Sequence, residues 1–384
     1  MKSKNKTLLT WLVILIIIIL VINLLIFIPK QQDETIKIGA ILALTGSIAN
    51  QGEWIQNGLE FAKDEINSNN GINGKKIEII YEDAQVDPKL AINSYNKLRN
   101  FNNVNIIITM GSGVGIALTP LVNEDKVIQI GVATASPDYS TQGDFTFRTY
   151  ETADLEMKNL ATIMYNDFNI RKVASLYINN DYGEGVKRVF EEEFKNLGGE
   201  IVISEAFNVG DVDFRTHINK VKASKPDALY IAPYTKEGGY LLKNSKELDL
   251  DLQIFSSQAI FGGEELFTIA GDAAEGLFIA APEFNLDSGD ENMKNFIEQY
   301  KKKYQTEPEI YAARAYDSVI VIGIAIEECG SDDKTECIKN ELFKIKNHQG
   351  ISGEISFDEN GDVLREFELK IVKNGKIIPY KDIK

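Results

Sequence analysis

The sequence predicts an α/β protein of two lobes, each a doubly wound parallel sheet, behind an N-terminal transmembrane helix. Three observations lead there. Short apolar runs of β-forming residues alternate with amphipathic helical stretches, the alternation runs through two successive series, and 384 residues are too many for one compact core.

The first segment is apolar from Leu8 to Ile28, interrupted only by Thr10, Trp11 and Asn23. As a helix it would be roughly 31 Å long, about one bilayer core. Lys2, Lys4 and Lys6 precede it and Asp33 and Glu34 follow, so the positive-inside rule puts the rest of the chain outside the cell. The run is long for the apolar part of a cleaved signal, and Ile26-Phe27-Ile28-Pro29-Lys30 offers no small-residue cleavage site, which favours an uncleaved anchor. Residues 1–34 then form a stub, anchor and short linker.

After Pro29 the alternation begins. Ile36–Ala43 reads as a strand, and Glu53–Asn67 as a helix with Ile55, Leu59, Ala62 and Ile66 on one face. Gly71-Ile72-Asn73-Gly74 is a turn, Ile77–Tyr81 a strand, and Pro88–Arg99 a helix with proline in its first turn. Ile106–Thr109 is a short buried strand, followed by a glycine-rich turn, a helix to about Glu124 and a strand at Val127–Ile130. The second series has strands at Lys172–Ile178, Ile201–Phe207, Ala228–Ala232 and Gln253–Phe255, with helices at Gly185–Leu197, Phe214–Ala223 and Lys236–Leu248 between them. A strand at Leu277–Ala280 and helices at Glu291–Tyr304, Ala312–Glu328 and Cys337–Phe343 follow. Turns at Asn360-Gly361 and Asn374-Gly375 close the chain, the second joining Phe367–Val372 to Ile377–Ile378. Ligands of such sheets sit beyond the carboxyl ends of the strands, here in a cleft between lobes.

Composition narrows the function. A net charge of −16 with no basic patch beyond the N-terminal lysines argues against nucleic acid. His217 and His348 have no Cys or His at metal-ligand spacing, and Cys329 and Cys337 lack the second pair that a tetrahedral site requires, so neither a metal nor another cofactor is expected. Outside the cell these two cysteines can instead form a local disulfide.

An ordered set of short motifs gives a sharper reading. Leu44-Thr45-Gly46 precedes Gly52 and a helix. Gly71-Ile72-Asn73-Gly74-Lys75 leads to Tyr81-Glu82-Asp83 and Asp87-Pro88. Gly111-Ser112-Gly113, Pro120 and Ala133-Thr134-Ala135-Ser136-Pro137 follow, then Asp181-Tyr182-Gly183-Glu184-Gly185, Asp213-Phe214, Pro226-Asp227, Ala274-Glu275-Gly276-Leu277 and Phe357-Asp358-Glu359-Asn360-Gly361. From Ile36 to about Val372 the chain resembles the leucine/isoleucine/valine-binding family, the type I periplasmic binding proteins of branched-chain amino-acid ABC transporters. The resemblance implies two lobes joined by three chain crossings, near Phe147–Glu151, Phe278–Glu283 and Arg365–Leu369. Lobe 1 would hold 35–149 plus 281–366, and lobe 2 would hold 150–280 plus 367–384. It also implies no catalysis, a small amino-acid-like or carboxylate ligand, and permease subunits in the same membrane as partners.

The residues themselves suggest where that ligand sits. Gly111-Ser112-Gly113-Val114-Gly115 lacks the third-glycine spacing and the later acid of a dinucleotide fingerprint. It reads either as a plain tight turn or as an anion cradle, where backbone N–H groups at a helix start and the Ser112 hydroxyl face a carboxylate. The resemblance places the ligand's α-carboxylate on Ser112 and Gly113, with Ala133, Thr134 and Ala135 as the neighbouring rim. Tyr182, read as a loop residue before a helix, and Tyr234, at a strand's carboxyl end, match cleft-lining positions, and Gln51 stands at the first helix start. Gln258 departs from the family pattern, which carries a carboxylate there for the ligand's ammonium. Either Glu237, Glu264 or Glu283 substitutes, or the ligand has no ammonium. A sensory receptor module for a small amide or acid is the second reading, although the chain offers no cytoplasmic domain to take up a signal. An enzyme is the third, without a triad, nucleotide fingerprint or metal set behind it.

Overall fold

Short β-branched runs flanked by helices on both sides lose most by staying in water, and they form the centres of two sheets. The computed structural model describes residues 35–382 apart from 285, 287–289 and 366. The apolar segment Leu8–Ile28 lies outside the described residues. Among those described, no helix is long and apolar enough to cross a membrane.

The first sheet is parallel throughout, in the order β2-β1-β3-β4-β5. Its strands are β1 (Ile36–Leu42), β2 (Ile77–Asp83), β3 (Ile106–Met110), β4 (Ile128–Ala133) and β5 (Thr146–Arg148). Every residue of β3 is buried, as expected of a strand covered on both faces. Helices α1 (Ala49–Ser68), α2 (Pro88–Asn102) and α3 (Ser112–Asp125) make the crossovers. Asp87 caps α2 by accepting from the Lys89 and Leu90 N–H groups, and Pro88 occupies its first turn.

The second sheet follows α4 (Ala153–Asn166) and comprises β6 (Lys172–Ile178), β7 (Glu200–Phe207), β8 (Ala228–Ala232), β9 (Gln253–Ser256) and β10 (Phe278–Pro282), with β13 (Phe367–Lys373) and β14 (Lys376–Pro379). Its order is β14-β13-β10-β9-β8-β6-β7. The last two strands are antiparallel and pair across the Asn374-Gly375 turn, as the sequence predicts. Helices α5 (Asp181–Asn196), α6 (Arg215–Ser224), α7 (Thr235–Glu247) and α8 (Glu264–Ala270) belong to this half.

Between β10 and β13 the chain returns to the first sheet's side. Helices α9 (Glu291–Tyr304), α10 (Ile310–Cys329) and α11 (Thr335–Lys344), with the hairpin β11 (His348–Gly350) and β12 (Gly353–Ile355), lie there. Rings of α9 and α10 pack on Phe61 of α1, and Cys329 and Cys337 are joined by the expected disulfide. The chain thus passes between the sheets three times. Two passages are stitched together: Glu151 bridges Val363, and the Arg148 N–H donates to the Gly361 carbonyl at 2.9 Å.

Several boundaries differ from the sequence reading. β4 runs to Ala133 and β10 to Pro282, while β5 and the hairpin β11–β12 were not predicted, being three residues each with little apolar signal in the hairpin. α5 starts four residues earlier than predicted, so Asp181-Tyr182-Gly183-Glu184 is its first turn rather than a loop. The two glycines hide that start, because glycine is a poor helix former. Both are needed by packing: a Cβ on Gly183 would lie 1.9 Å from the Ile178 carbonyl oxygen, and one on Gly185 would lie 2.8 Å from Ser136 Oγ.

Candidate ligand-binding cleft

The carboxyl ends of both sheets face one another, and residues at those ends meet around a cavity of about 20 Å³. From the first sheet's side, Gln51 of α1, Met110 at the end of β3 and Gly111 after it, Ser112 of α3, Ala133 at the end of β4 and Ala135 beyond it line the cavity. Tyr182 and Tyr234 face them from the second sheet's side, Tyr150 stands on the first passage between the sheets, and Tyr311 is in the first turn of α10. The space holds about one water, so a ligand the size of valine requires these walls to part.

Local geometry explains the first wall. Gly111 takes φ +97°, a conformation that favours glycine, and its N–H donates to the Ala133 carbonyl at 3.0 Å. That turn starts α3 with no side-chain cap. The first-turn N–H groups of a helix have no acceptor within it and carry the positive end of its dipole. Ser112 Oγ accepts from the Ser136 N–H at 3.2 Å, which ties the two rim loops together and leaves its own proton to donate elsewhere.

The opposite wall is aromatic. Tyr182 and Tyr234 stack at 5.4 Å, anchored by a 2.6 Å hydrogen bond between Tyr182 and Ser257 and by Asn180 Nδ2 donating to Tyr234 Oη at 3.1 Å. Burial pushes both phenols above the ordinary tyrosine range, so they remain neutral donors. Gln51 crosses the cleft, its Nε2 donating to the Phe261 carbonyl at 3.1 Å, and Arg188 pairs with Asp138 at 2.8 Å, so the lobes are in contact.

Three predicted site residues fall outside the cavity wall. Gly113 instead faces the other lobe, where a Cβ would sit 2.7 Å from Asp181 Oδ2. Thr134 is fully buried on the far side of the rim, against Gly131 and Gly115, because successive residues of an extended segment point opposite ways and Ala133 and Ala135 take the cavity side. Gln258, in a one-turn 3₁₀ segment, borders a neighbouring groove, while Ala259 beside it lines the cavity.

What surrounds Gln258 was not visible in the sequence. Its backbone N–H and its Nε2 both donate to Glu156 of α4, at 2.8 and 3.2 Å. Its Oε1 accepts from Arg314 Nη2 at 3.0 Å. Arg314 of α10 also pairs with Glu151, which in turn holds Arg365 at 2.6 Å. Arg314, Glu151 and Glu156 are no more than 1% exposed. Burial pushes Glu156 up to about 8, against the two hydrogen bonds from Gln258. Of the acids named as substitutes, Glu237 is buried in the first turn of α7 with Oε1 accepting from the Gly210 N–H at 2.7 Å, Glu264 borders a wider groove of about 720 Å³ along the joint between the two sheets, and Glu283 is exposed beyond β10. None lines the cavity.

A model of the periplasmic binding protein family matches residues 35–375. The chain belongs to that family. Its members bind a solute and do no chemistry on it. Among curated relatives it is 28% identical over 353 residues to the leucine-, isoleucine-, valine-, threonine- and alanine-binding protein of Pseudomonas aeruginosa, covering 91% of this chain and 93% of that one. It is 31% identical over 330 residues to Leu/Ile/Val-binding protein homolog 1 of Brucella suis, covering 85% and 86%. Among solved structures it superposes with a TM-score of 0.83 on the leucine-binding protein LivK of Thermotoga maritima, at 29% identity, covering 91% of this chain and all of that one. The substrate-binding protein LivJ of Streptococcus pneumoniae in complex with isoleucine gives 0.81 at 28% identity, covering 90% and 98%.

Proposed function

We propose that this family member is the solute-binding component of an ABC importer, closing its two lobes on a small amino-acid-like or carboxylate ligand. The observation that carries the reading is the cavity at the facing ends of the two sheets, with an uncapped helix start on one side and stacked tyrosines on the other. The lobes would be 35–149 with 281–366, and 150–280 with 367–384, swinging about the three crossings. The relatives named above for branched-chain amino acids, one of them called a transporter substrate-binding protein, support transport over sensing. Native mass spectrometry of protein purified without denaturation tests this directly. A small molecule retained at one per chain is expected; its absence, together with no thermal stabilisation by any amino acid or small acid, would refute it.

Ser112 is the residue that best separates ligand binding from folding. Ser112→Ala removes one donor to the ligand's carboxylate and should weaken binding by about 1–2 kcal/mol. Calorimetry well below the variant's melting temperature measures it, and unchanged affinity would take Ser112 out of the site.

The segment Leu8–Ile28 would hold the domain at the outer face of the membrane. The linker 29–35 reaches at most about 25 Å when extended, which keeps the domain within a permease's reach. Protease added to intact cells is expected to release the domain and spare the N-terminal peptide. Protection of residues beyond 35 would reverse the orientation.

A further inference from the structure

Arg314 is placed where a binder of amino acids could least use it. Its guanidinium carbon lies 4.1 Å from the centre of the Tyr150 ring and 5.8 Å from that of Tyr311, and both rings line the cavity. The side chain is completely buried, and its Nε and Nη1 have no acceptor among the described residues. A buried guanidinium with two unmet donors favours any acceptor brought within reach and disfavours a second cation.

The neighbouring groups do not offset that charge toward the cavity. No carboxylate lines the cavity. Glu151 is held between Arg314 and Arg365. Glu156 faces the amide of Gln258, and Gln258 is engaged at both ends, with Nε2 on Glu156 and Oε1 on Arg314. A ligand ammonium held against Tyr150 or Tyr311 would share that ring with the Arg314 guanidinium. An unpaired buried cation is costly, and this corner adds repulsion to that cost.

We propose that Arg314 sets the charge of the ligand, so that this protein takes small carboxylic acids without an ammonium group, such as 2-oxo acids with an aliphatic or aromatic body. The carboxylate goes to the start of α3, and the neutral oxygen on the next carbon lies toward Tyr150 and Tyr311, the two cavity rings on which Arg314 packs. This inference rests on the interlobe cavity being the ligand site, and deepens that reading by naming the chemical class.

The test uses four probes: leucine, valine and their 2-oxo acids, titrated by calorimetry into wild-type protein freed of ligand by mild denaturation and refolding. The expected result is binding of the 2-oxo acids at least about tenfold tighter than of the parent amino acids. Arg314→Met should reduce that preference by about tenfold or more, and Arg314→Met with Gln258→Glu should turn it toward the amino acids. Leucine or valine binding the wild type as tightly as the 2-oxo acids would overturn the inference while leaving the solute-binding reading intact. So would an unchanged preference in Arg314→Met. Binding of none of the four also overturns it, whereas the solute-binding reading then stands or falls on the mass of the retained molecule. If Arg314→Met does not fold, the wild-type preference alone decides.

Discussion

Glu151→Ala is expected to destabilise the protein by about 3–5 kcal/mol, the usual cost of leaving a buried ion pair half made. Glu151 sits on the first passage between the sheets, and its two oxygens serve arginines from two distant parts of the chain, Arg314 of α10 and Arg365 on the last passage. Removing it leaves Arg314 with the Gln258 oxygen as its only hydrogen-bond acceptor among the described residues, while Arg365 keeps the Glu354 and Thr149 carbonyls and Ser352. Urea unfolding measures the loss. Replacing both partners, as in Glu151→Met with Arg314→Met, should cost less than Glu151→Ala alone, because no cation is then stranded there by Arg314. If the double replacement costs as much as the sum of the two single ones, the pair acts through packing, and the electrostatic account fails. The position matters for function because these charges tie together the passages about which the lobes would swing.

The sequence carried the fold well because the fold depends on local patterns. Runs such as Ile106–Met110 and Ala228–Ala232 are apolar over their whole length, and only a strand covered on both faces is satisfied by that. The cleft was legible as a neighbourhood for a similar reason: Ser112, Ala133, Ala135, Tyr182 and Tyr234 all stand at or soon after strand ends, where this class of sheet places its ligands. Which face each residue shows was harder to read. Thr134 and Ala133 exchange roles on a shift of one residue, and Gly183 looked like a loop although close packing on Ile178 is what demands it. The group behind the cleft could not be read at all. Glu156 sits on a helix among ordinary-looking acids and becomes special only through Gln258, 102 residues away, while Arg314 meets Glu151 across 163 residues. Neither pairing leaves a periodicity or a spacing in the sequence.

Glu156→Gln should flatten the pH dependence of stability. Burial holds the Glu156 carboxyl up to about 8, against an ordinary value of 4.5, and the groups around it pull in both directions: the Gln258 N–H groups and Arg314 favour the anion, whereas Glu151 disfavours it. The neighbouring phenols of Tyr150, Tyr182 and Tyr230 are themselves raised by burial and stay neutral in this range. Between 4.5 and about 8 the folded protein therefore holds a proton that the unfolded chain has released. The stabilisation is complete below 4.5 and is lost as pH rises through about 8, with a slope approaching about 1.4 kcal/mol per pH unit for one proton. Asp317, Asp362 and Glu237 are raised by burial too and add slope of the same sign, but they are present in both proteins and cancel in the difference. Urea midpoints from about pH 5.5 to about pH 7, roughly one unit inside the two values, should fall more steeply for wild type than for Glu156→Gln. The amide in the variant still accepts one N–H from Gln258 but sets its own N–H₂ against the other, which lowers the whole curve without tilting it. Parallel curves would mean that Glu156 is ionised in the folded protein. The corner behind Gln258 would then carry a full negative charge opposite Arg314, and the preference for ligands without an ammonium should be correspondingly weaker.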